Sequence, residues 1–183
     1  MKDDDSKLSI QEKYAEIAKK SLVRVQYSCS GNSTCCEESD FINYRIATVE
    51  DLPEIVNLLA ECKLPYLDIV PGKQNFVLTE INHKIIGCAG LEIYNGNGLF
   101  RSLAVKPSHQ NMKIGRDLLD KIITLSTENN IKQLYLLTTT ADLYFKKHGW
   151  KVIERSEVPD DIRATTEFSS ICPSTAICMM YKL

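Results

Sequence analysis

The stretch that most constrains this chain is residues 99–119, LFRSLAVKPSHQNMKIGRDLL. It opens with apolar residues at strand length: Leu99, Phe100, Leu103, Ala104 and Val105. Pro107 and Ser108 break that run. Gln110 to Gly115 then lead into a segment carrying Ile114, Leu118, Leu119 and Ile122 at helical spacing. A strand, a short loop and a helix N-terminus together build an anion site. The first backbone N–H groups of the helix have no intrahelical acceptor, and the helix dipole favours negative charge there. Lys113 and Arg116 add cations, so the loop suits a pyrophosphate. Dinucleotide-binding folds and P-loops use the same physics, but neither G-x-G-x-x-G nor G-x-x-x-x-G-K-[ST] is present.

The 183 residues allow one domain with an extension, long enough for a real core. A formal net charge of -2, with no basic run, leaves no nucleic-acid partner to expect. No apolar stretch reaches the roughly 18 residues of a membrane span, so no membrane partner is expected either. The opening MKDDDSKLSI is acidic and lacks an apolar h-region, which favours a cytoplasmic protein. Seven cysteines in a reducing compartment point to free thiols or soft-ligand chemistry rather than a disulfide framework.

Residues 1–40 read as an extension. Ser9 and Glu12 have capping-box spacing, and Ile10, Tyr14, Ile17 and Ala18 follow at helical intervals. Residues 28–40, SCSGNSTCCEESD, are polar and carry Cys29, Cys35 and Cys36. They are either a flexible linker with incidental thiols or a soft-metalloid site, since thiolates select such ions. The Cys-x5-Cys-Cys spacing fits no usual zinc site, and no metal is expected.

Residues 41–183 read as the domain proper. FINYRIA alternates as a strand, and Thr48 or Asp51 starts a helix striped by Leu52, Ile55, Val56, Leu59 and Cys62, with Pro53 in its first turn. Lys63 to Gln74 is a broken segment between two prolines, placed to line a substrate entrance. Phe76 to Ile81 and Ile85 to Tyr94 form a hairpin about Asn82–His83, with a second turn at Asn95 to Gly98. Ile131 to Leu137 is a buried strand, Ala141 to Lys147 a short helix, and Trp150 to Ile153 and Ile177 to Tyr181 are strands. The order β-α-β-β-β-α-β-α-β-β is a mixed α/β (α+β) pattern.

That order, and residues 110–115 after a strand ending Leu-Ala-Val, resemble the GNAT acetyltransferases, whose motif A reads Q/R-x-x-G-x-G/A. Gln110 and Gly115 match, while Lys113 stands where the family usually has its first glycine. The resemblance implies a GNAT fold, a mixed and mostly antiparallel central sheet flanked by helices. It also implies acetyl-CoA held through Leu103, Ala104, Val105, Gln110, Asn111, Met112, Lys113, Ile114, Gly115, Arg116 and Phe145, with the N–H groups of Leu103 and Val105 pairing with the pantetheine. Dimers through the last strands are common in the family, so a homodimer is a further expectation.

Acetyl transfer needs a neutral amine and a proton for the departing thiolate. Glu92, in GCAGLEIY, is a candidate base acting directly or through water, unless it lies on the solvent face of its strand. GNAT enzymes often carry a tyrosine four residues before a Gly-aromatic pair; here that position is Phe145, and Tyr144 lies one residue earlier, turned about 100° round the helix. Tyr144 is therefore either the acid or part of the packing and substrate wall.

The tail, IRATTEFSSICPSTAICM (162–179), and LYLLTTTADLYFKKHGW (134–150) resemble the arsenic-resistance subgroup of the family. The start of the chain, QEKYAEIAKK and SCSGNSTCC, resembles that of arsenite methyltransferases, without any methyltransferase core. An amino-acid-like arsenical is thus a plausible amine acceptor, with Arg163, Thr165, Thr166 and Glu167 as a polar cluster to grip it. Cys172 and Cys178 are either core thiols or, with the N-terminal cysteines, captors of a trivalent arsenical. Two rivals stand beside this reading: a catalytically impaired scaffold that binds metalloids, and a general amine or peptide acetyltransferase.

Overall fold

The structure, a computed structural model, describes residues 42–183. The expected N-terminal helix and the thiols of Cys29, Cys35 and Cys36 lie outside the described residues.

The chain begins with strand β1 (Ile42–Ile46), a single 3-10 turn (Val49–Asp51) and helix α1 (Leu52–Glu61), with Pro53 in the first turn as its spacing predicts. The Thr48 N–H bonds Asp51 Oδ2 at 2.7 Å, and Arg45 grips both Asp51 oxygens at 2.6 and 2.7 Å. Those bonds hold the Asp51 carboxyl at about 2, chiefly through Arg45. Because this folded-state value lies below the unfolded one, the stabilisation is complete above about pH 4 and fades as pH falls through about 2. Asp51→Asn is expected to lose about 2 kcal/mol at pH 7, and the deficit should shrink towards zero near pH 2 in denaturant titrations.

Three strands follow: β2 (Asn75–Ile81), β3 (Lys84–Tyr94) and β4 (Asn97–Val105). Their two hairpin turns, Asn82–His83 and Asn95–Gly96, all have positive φ, the conformation in which two-residue turns match strand twist. The second turn is therefore tighter than Asn95 to Gly98, and β4 starts two residues earlier than its apolar run. Helix α2 (Ile114–Glu128) then crosses over to β5 (Gln133–Thr138), the connection a parallel pair needs. Helix α3 (Asp142–Lys147), β6 (Lys151–Ile153), helix α4 (Asp160–Arg163) and β7 (Ile177–Lys182) complete the chain. The sheet order is β1-β2-β3-β4-β5-β7-β6, antiparallel except for β4–β5.

Side-chain alternation divides the core between the two faces of the sheet. Val77, Ile86, Ala89 and Phe100 meet the α2 stripe of Ile114, Leu118, Leu119 and Ile122. Their neighbours Phe76, Leu78, Ile85 and Cys88 meet Ile55, Leu58 and Leu59 of α1. Further along the sheet, Leu99, Tyr135 and Cys178 are covered by Val158, Ile162 and Phe168. The tail is thus a second cover on the sheet. Its short α4 and the single π turn at Glu167–Ile171 carry too little periodicity to be seen in the sequence.

Candidate functional site

Strands β4 and β5 pair only at Asn97–Gln133, Gly98–Leu134 and Leu99–Tyr135, and then separate. At Gly98 the approach is close, since a Cβ there would sit 2.6 Å from Leu134 Cδ2. Beyond the parting lies a cavity of about 320 Å³, walled by residues 100–105 of β4 and 136–141 of and after β5. Cys62, Leu64 and Pro65 close one side, and Tyr144, Phe145, Glu167 and Cys172 another. Of the broken segment after α1, Leu64 and Pro65 are on this cavity lining.

On its other edge β4 carries a bulge. Cys88 faces Ala104 and Gly90 faces Arg101, so β4 has one residue too many, and Ser102 takes φ 57. Bulges re-aim neighbouring groups, and this one sits on the cavity wall. Below it, Gln110 Nε2 bonds the Val105 carbonyl at 3.4 Å. The loop then turns into α2 through two left-handed residues, Asn111 (φ 66) and Lys113 (φ 64). Lys113 therefore adopts at its position the conformation for which glycine is the usual residue. Asn111, Met112, Lys113 and Arg116 are exposed, whereas the Ile114 side chain anchors the turn in the core and leaves its N–H at the helix start. At Gly115 a Cβ would make only ordinary contacts, 3.5 Å from Tyr144 Oη and 3.9 Å from Val105.

Tyr144 packs against Phe145 and His148, with centroids 5.3 and 4.7 Å apart. Its hydroxyl is buried without a hydrogen-bond partner. Burial raises its pKa from the ordinary phenol value, so the proton stays on oxygen at neutral pH. Phe145, one position on, faces Phe100 and Trp150 in the core while its edge reaches the cavity. Both members of the displaced pair therefore border the same space.

The opposite end holds a buried charge cluster around Arg101, whose side chain is 1% exposed. Its NH1 bonds Asp68 Oδ2 at 2.5 Å and Glu92 Oε1 at 2.9 Å, while NH2 bonds Asp68 Oδ1 at 2.7 Å and lies 2.9 Å from Glu167 Oε2. Burial opposes ionisation of Asp68, but Arg101 outweighs it and holds that carboxyl below the usual range. At Glu167 burial wins over Arg101 and the Cys172 thiol, and the pKa rises.

Glu92 is buried, not on a solvent face, and it stands behind Arg101 rather than on the cavity lining. Its Oε1 accepts from Gln74 at 2.9 Å as well as from Arg101, and its Oε2 accepts from Tyr94 and lies 3.6 Å from Lys73. Of the four tail residues, only Glu167 lines the cavity. Arg163 is exposed and paired with Asp160, Thr166 is exposed, and the buried Thr165 hydroxyl accepts the Phe168 N–H at 3.4 Å within its own turn. Cys172 donates to Glu167 at 3.3 Å, and burial pushes its thiol up to about 12; Cys178 lies in the core with its thiol pushed up to about 11 by burial. At neutral pH neither offers a thiolate. Among the described residues no group of three or more His, Cys, Asp or Glu is placed to hold a metal ion.

Arg101 and Asp68 were not singled out by motif or spacing, and Cys62 was read only as part of the apolar stripe of α1. A charged residue inside the apolar strand LFRSLAV was the available signal for Arg101. At Gly90 opposite it, an added Cβ would crowd Phe76 Cε1 at 3.0 Å and touch Arg101 Cγ at 3.4 Å.

Residues 72–152 match the family model described as "Acetyltransferase (GNAT) domain". An amino-acid acetyltransferase of Pasteurella multocida is 27% identical over 143 residues, 73% of this chain and 32% of that protein. An uncharacterised N-acetyltransferase of Chlorobaculum tepidum is 29% identical over 113 residues, 61% of this chain and 70% of its own length. The N-acetylglutamate synthase of Neisseria gonorrhoeae, solved with coenzyme A and L-arginine, superposes with a TM-score of 0.66 at 23% identity, over 80% of this chain and 34% of that one. The chain thus spans about a third of the amino-acid acetyltransferases it matches. The structural likeness is one of fold.

Proposed function

We propose that this chain, which carries an acetyltransferase (GNAT) domain, moves an acetyl group from acetyl-CoA to the amine of a small molecule. The observation that carries the reading is the parted β4–β5 pair, with a helix N-terminus at one end of the cavity and a buried charge cluster at the other. Acetyl-CoA supplies the activated acyl group. The loop 110–116 offers the N–H groups at the start of α2 together with Lys113 and Arg116 for its pyrophosphate. The β4 edge left unpaired beyond Leu99 offers peptide groups, those of Leu103 and Val105 among them, to the pantetheine amides. Tyr144, kept protonated by burial, is the donor for the departing sulfur. Glu92 ties Arg101, Gln74 and Tyr94 together behind the acceptor end.

An amino-acid-like acceptor is supported by the names of the relatives, and an arsenical amino acid by the tail and N-terminal resemblances. We also place the protein in the cytoplasm, as a homodimer through the last strands, without nucleic-acid or membrane partners. The net charge of -2 supports the lack of a nucleic-acid partner. Among the described residues no helix is long and apolar enough to cross a membrane.

Two measurements on the full chain test the reading. Calorimetry is expected to show one acetyl-CoA site, and thiol release with an amine panel that includes an amino-acid arsenical is expected to show turnover on at least one member. Absence of acetyl-CoA binding would refute the reading. The left-handed Lys113 adds a sharper expectation. Lys113→Gly removes a strain of about 1–2 kcal/mol but adds about 0.5–1 kcal/mol of chain entropy, so thermal stability should hold or rise slightly. Losing the cation should weaken coenzyme A binding about threefold to tenfold at low salt, and less at high salt.

A further inference from the structure

We propose that Glu167 is the group that receives the acceptor's proton, and that the acceptor is drawn in by its ammonium rather than by a carboxylate. This rests on the transferase reading above.

Arg101 is the cation on the cavity wall at this end. A guanidinium has five N–H donors. Nε faces Ser102 Oγ at 3.3 Å, NH1 serves Asp68 and Glu92, and NH2 serves Asp68 and faces Glu167. Four of the five donate hydrogen bonds, and the NH2 group that carries the fifth is ion-paired with Glu167 Oε2, so Arg101 is committed to these partners rather than to an acceptor's carboxylate. The surrounding charge has the opposite bias. Asp68, Glu92 and Glu167 are three carboxylates against two cations, Arg101 and Lys73. One positive charge is missing, and an ammonium supplies it.

Among the three carboxylates, Glu167 alone lines the cavity. Both Glu92 oxygens are occupied, and Asp68 is held by a two-bond fork to Arg101. Glu167 is 7% exposed, and only its Oε1 has a hydrogen bond, from Cys172. Its Oε2 lies near Arg101 but off the line of a hydrogen bond, and is buried without one. That oxygen keeps an unshared lone pair on a residue that lines the cavity. The π turn from Glu167 to Cys172, closed by the Cys172 N–H on the Glu167 carbonyl at 3.0 Å, fixes the residue at the cavity. The groups facing its carboxylate are Arg101 of β4, Glu92 of β3, Asp68 of the entrance segment and Cys172, with Arg155 beyond the thiol. Their balance, with burial, leaves Glu167 more basic than an ordinary carboxylate.

In the step, the ammonium gives one proton to Glu167 and the freed nitrogen pair forms the C–N bond at the acetyl carbonyl. The C–S bond breaks with its electron pair on sulfur. Tyr144 protonates the sulfur, and the second proton shed by nitrogen restores the phenol. The products are the amide, the free thiol and one proton, which Glu167 returns to solvent.

The test uses the full chain loaded with coenzyme A, and as probes several amino acids beside their carboxamides, which keep the ammonium and lack the carboxylate. Calorimetry on wild type should show the carboxamides binding at least as tightly as the acids. Glu167→Gln should weaken that binding at least tenfold, with coenzyme A affinity and thermal midpoint unchanged. Where acetyl-CoA turns over, Glu167→Gln should lower kcat/KM by about 10²–10⁴ and abolish the acid limb of its pH profile. Glu167→Asp, which keeps the charge, should restore part of the rate and the limb. Tenfold preference for the carboxylate form, no probe binding, or Glu167→Gln binding as wild type would overturn the proposal. A chain that does not bind acetyl-CoA at all would instead overturn the transferase reading.

Discussion

Arg101→Met is expected to lose about 3–5 kcal/mol of unfolding free energy at pH 7, the largest stability effect of any single change at this site. The side chain is 1% exposed and is shared by Asp68, Glu92 and Glu167. Methionine fills most of the volume, so the loss is not mainly one of packing. It comes from leaving three carboxylates in a buried space with only the half-exposed Lys73 nearby. A domain of this size has about 5–15 kcal/mol in total, so the variant should be marginal. The pH dependence separates this account from a cavity effect. In the wild type Asp68 titrates below its ordinary value, so its favourable contribution is present above about pH 4 and is lost as pH falls further. In the variant the depression is gone and burial favours the protonated acid. The deficit between the two should therefore narrow steadily from pH 7 to pH 4 in urea titrations. A deficit constant with pH would mean that shape rather than charge had been lost.

Tyr144→Phe should separate activity from stability. Tyr144 lines the cavity and its hydroxyl is buried without a partner, so removing it relieves an unsatisfied group and should leave stability unchanged or raise it by up to about 1 kcal/mol. If the phenol protonates the leaving sulfur, kcat should fall about 10²–10⁴-fold while acetyl-CoA affinity holds. Equal turnover in wild type and variant would assign Tyr144 to the wall of the cavity, the other role its sequence position allows.

Much of the sheet was legible because its signals are local. Pro53 at a helix start, the Asn-His turn and the apolar stripe of α2 each act within a few residues, and the structure keeps all three. The Asn95–Gly96 turn was also local, but the flanking Asn97 and Gly98 resembled more loop, which hid the start of β4. The tail resisted because α4 is four residues long and the π turn five, so neither repeats a periodic pattern. The site divides in the same way. The loop 110–116 could be read from Gln110, Lys113 and Gly115, whereas the buried charge cluster joins Asp68, Glu92, Arg101 and Glu167 from four separate segments. Glu92 was visible as a charge in an apolar strand, but its partners Gln74, Tyr94 and Arg101 were not. Lys113 shows a subtler limit: the sequence loses a glycine there, yet the backbone keeps glycine's conformation.

The central claim is that the acetyl donor seats where β4 and β5 part. Amide hydrogen exchange of the full chain, with and without acetyl-CoA, tests it most directly, because exchange reports opening segment by segment. The account predicts added protection in residues 101–105, 110–116 and 138–145, with the hairpin at Asn82–His83 unchanged. No added protection at saturating acetyl-CoA, or protection confined to segments away from the cavity, would contradict it.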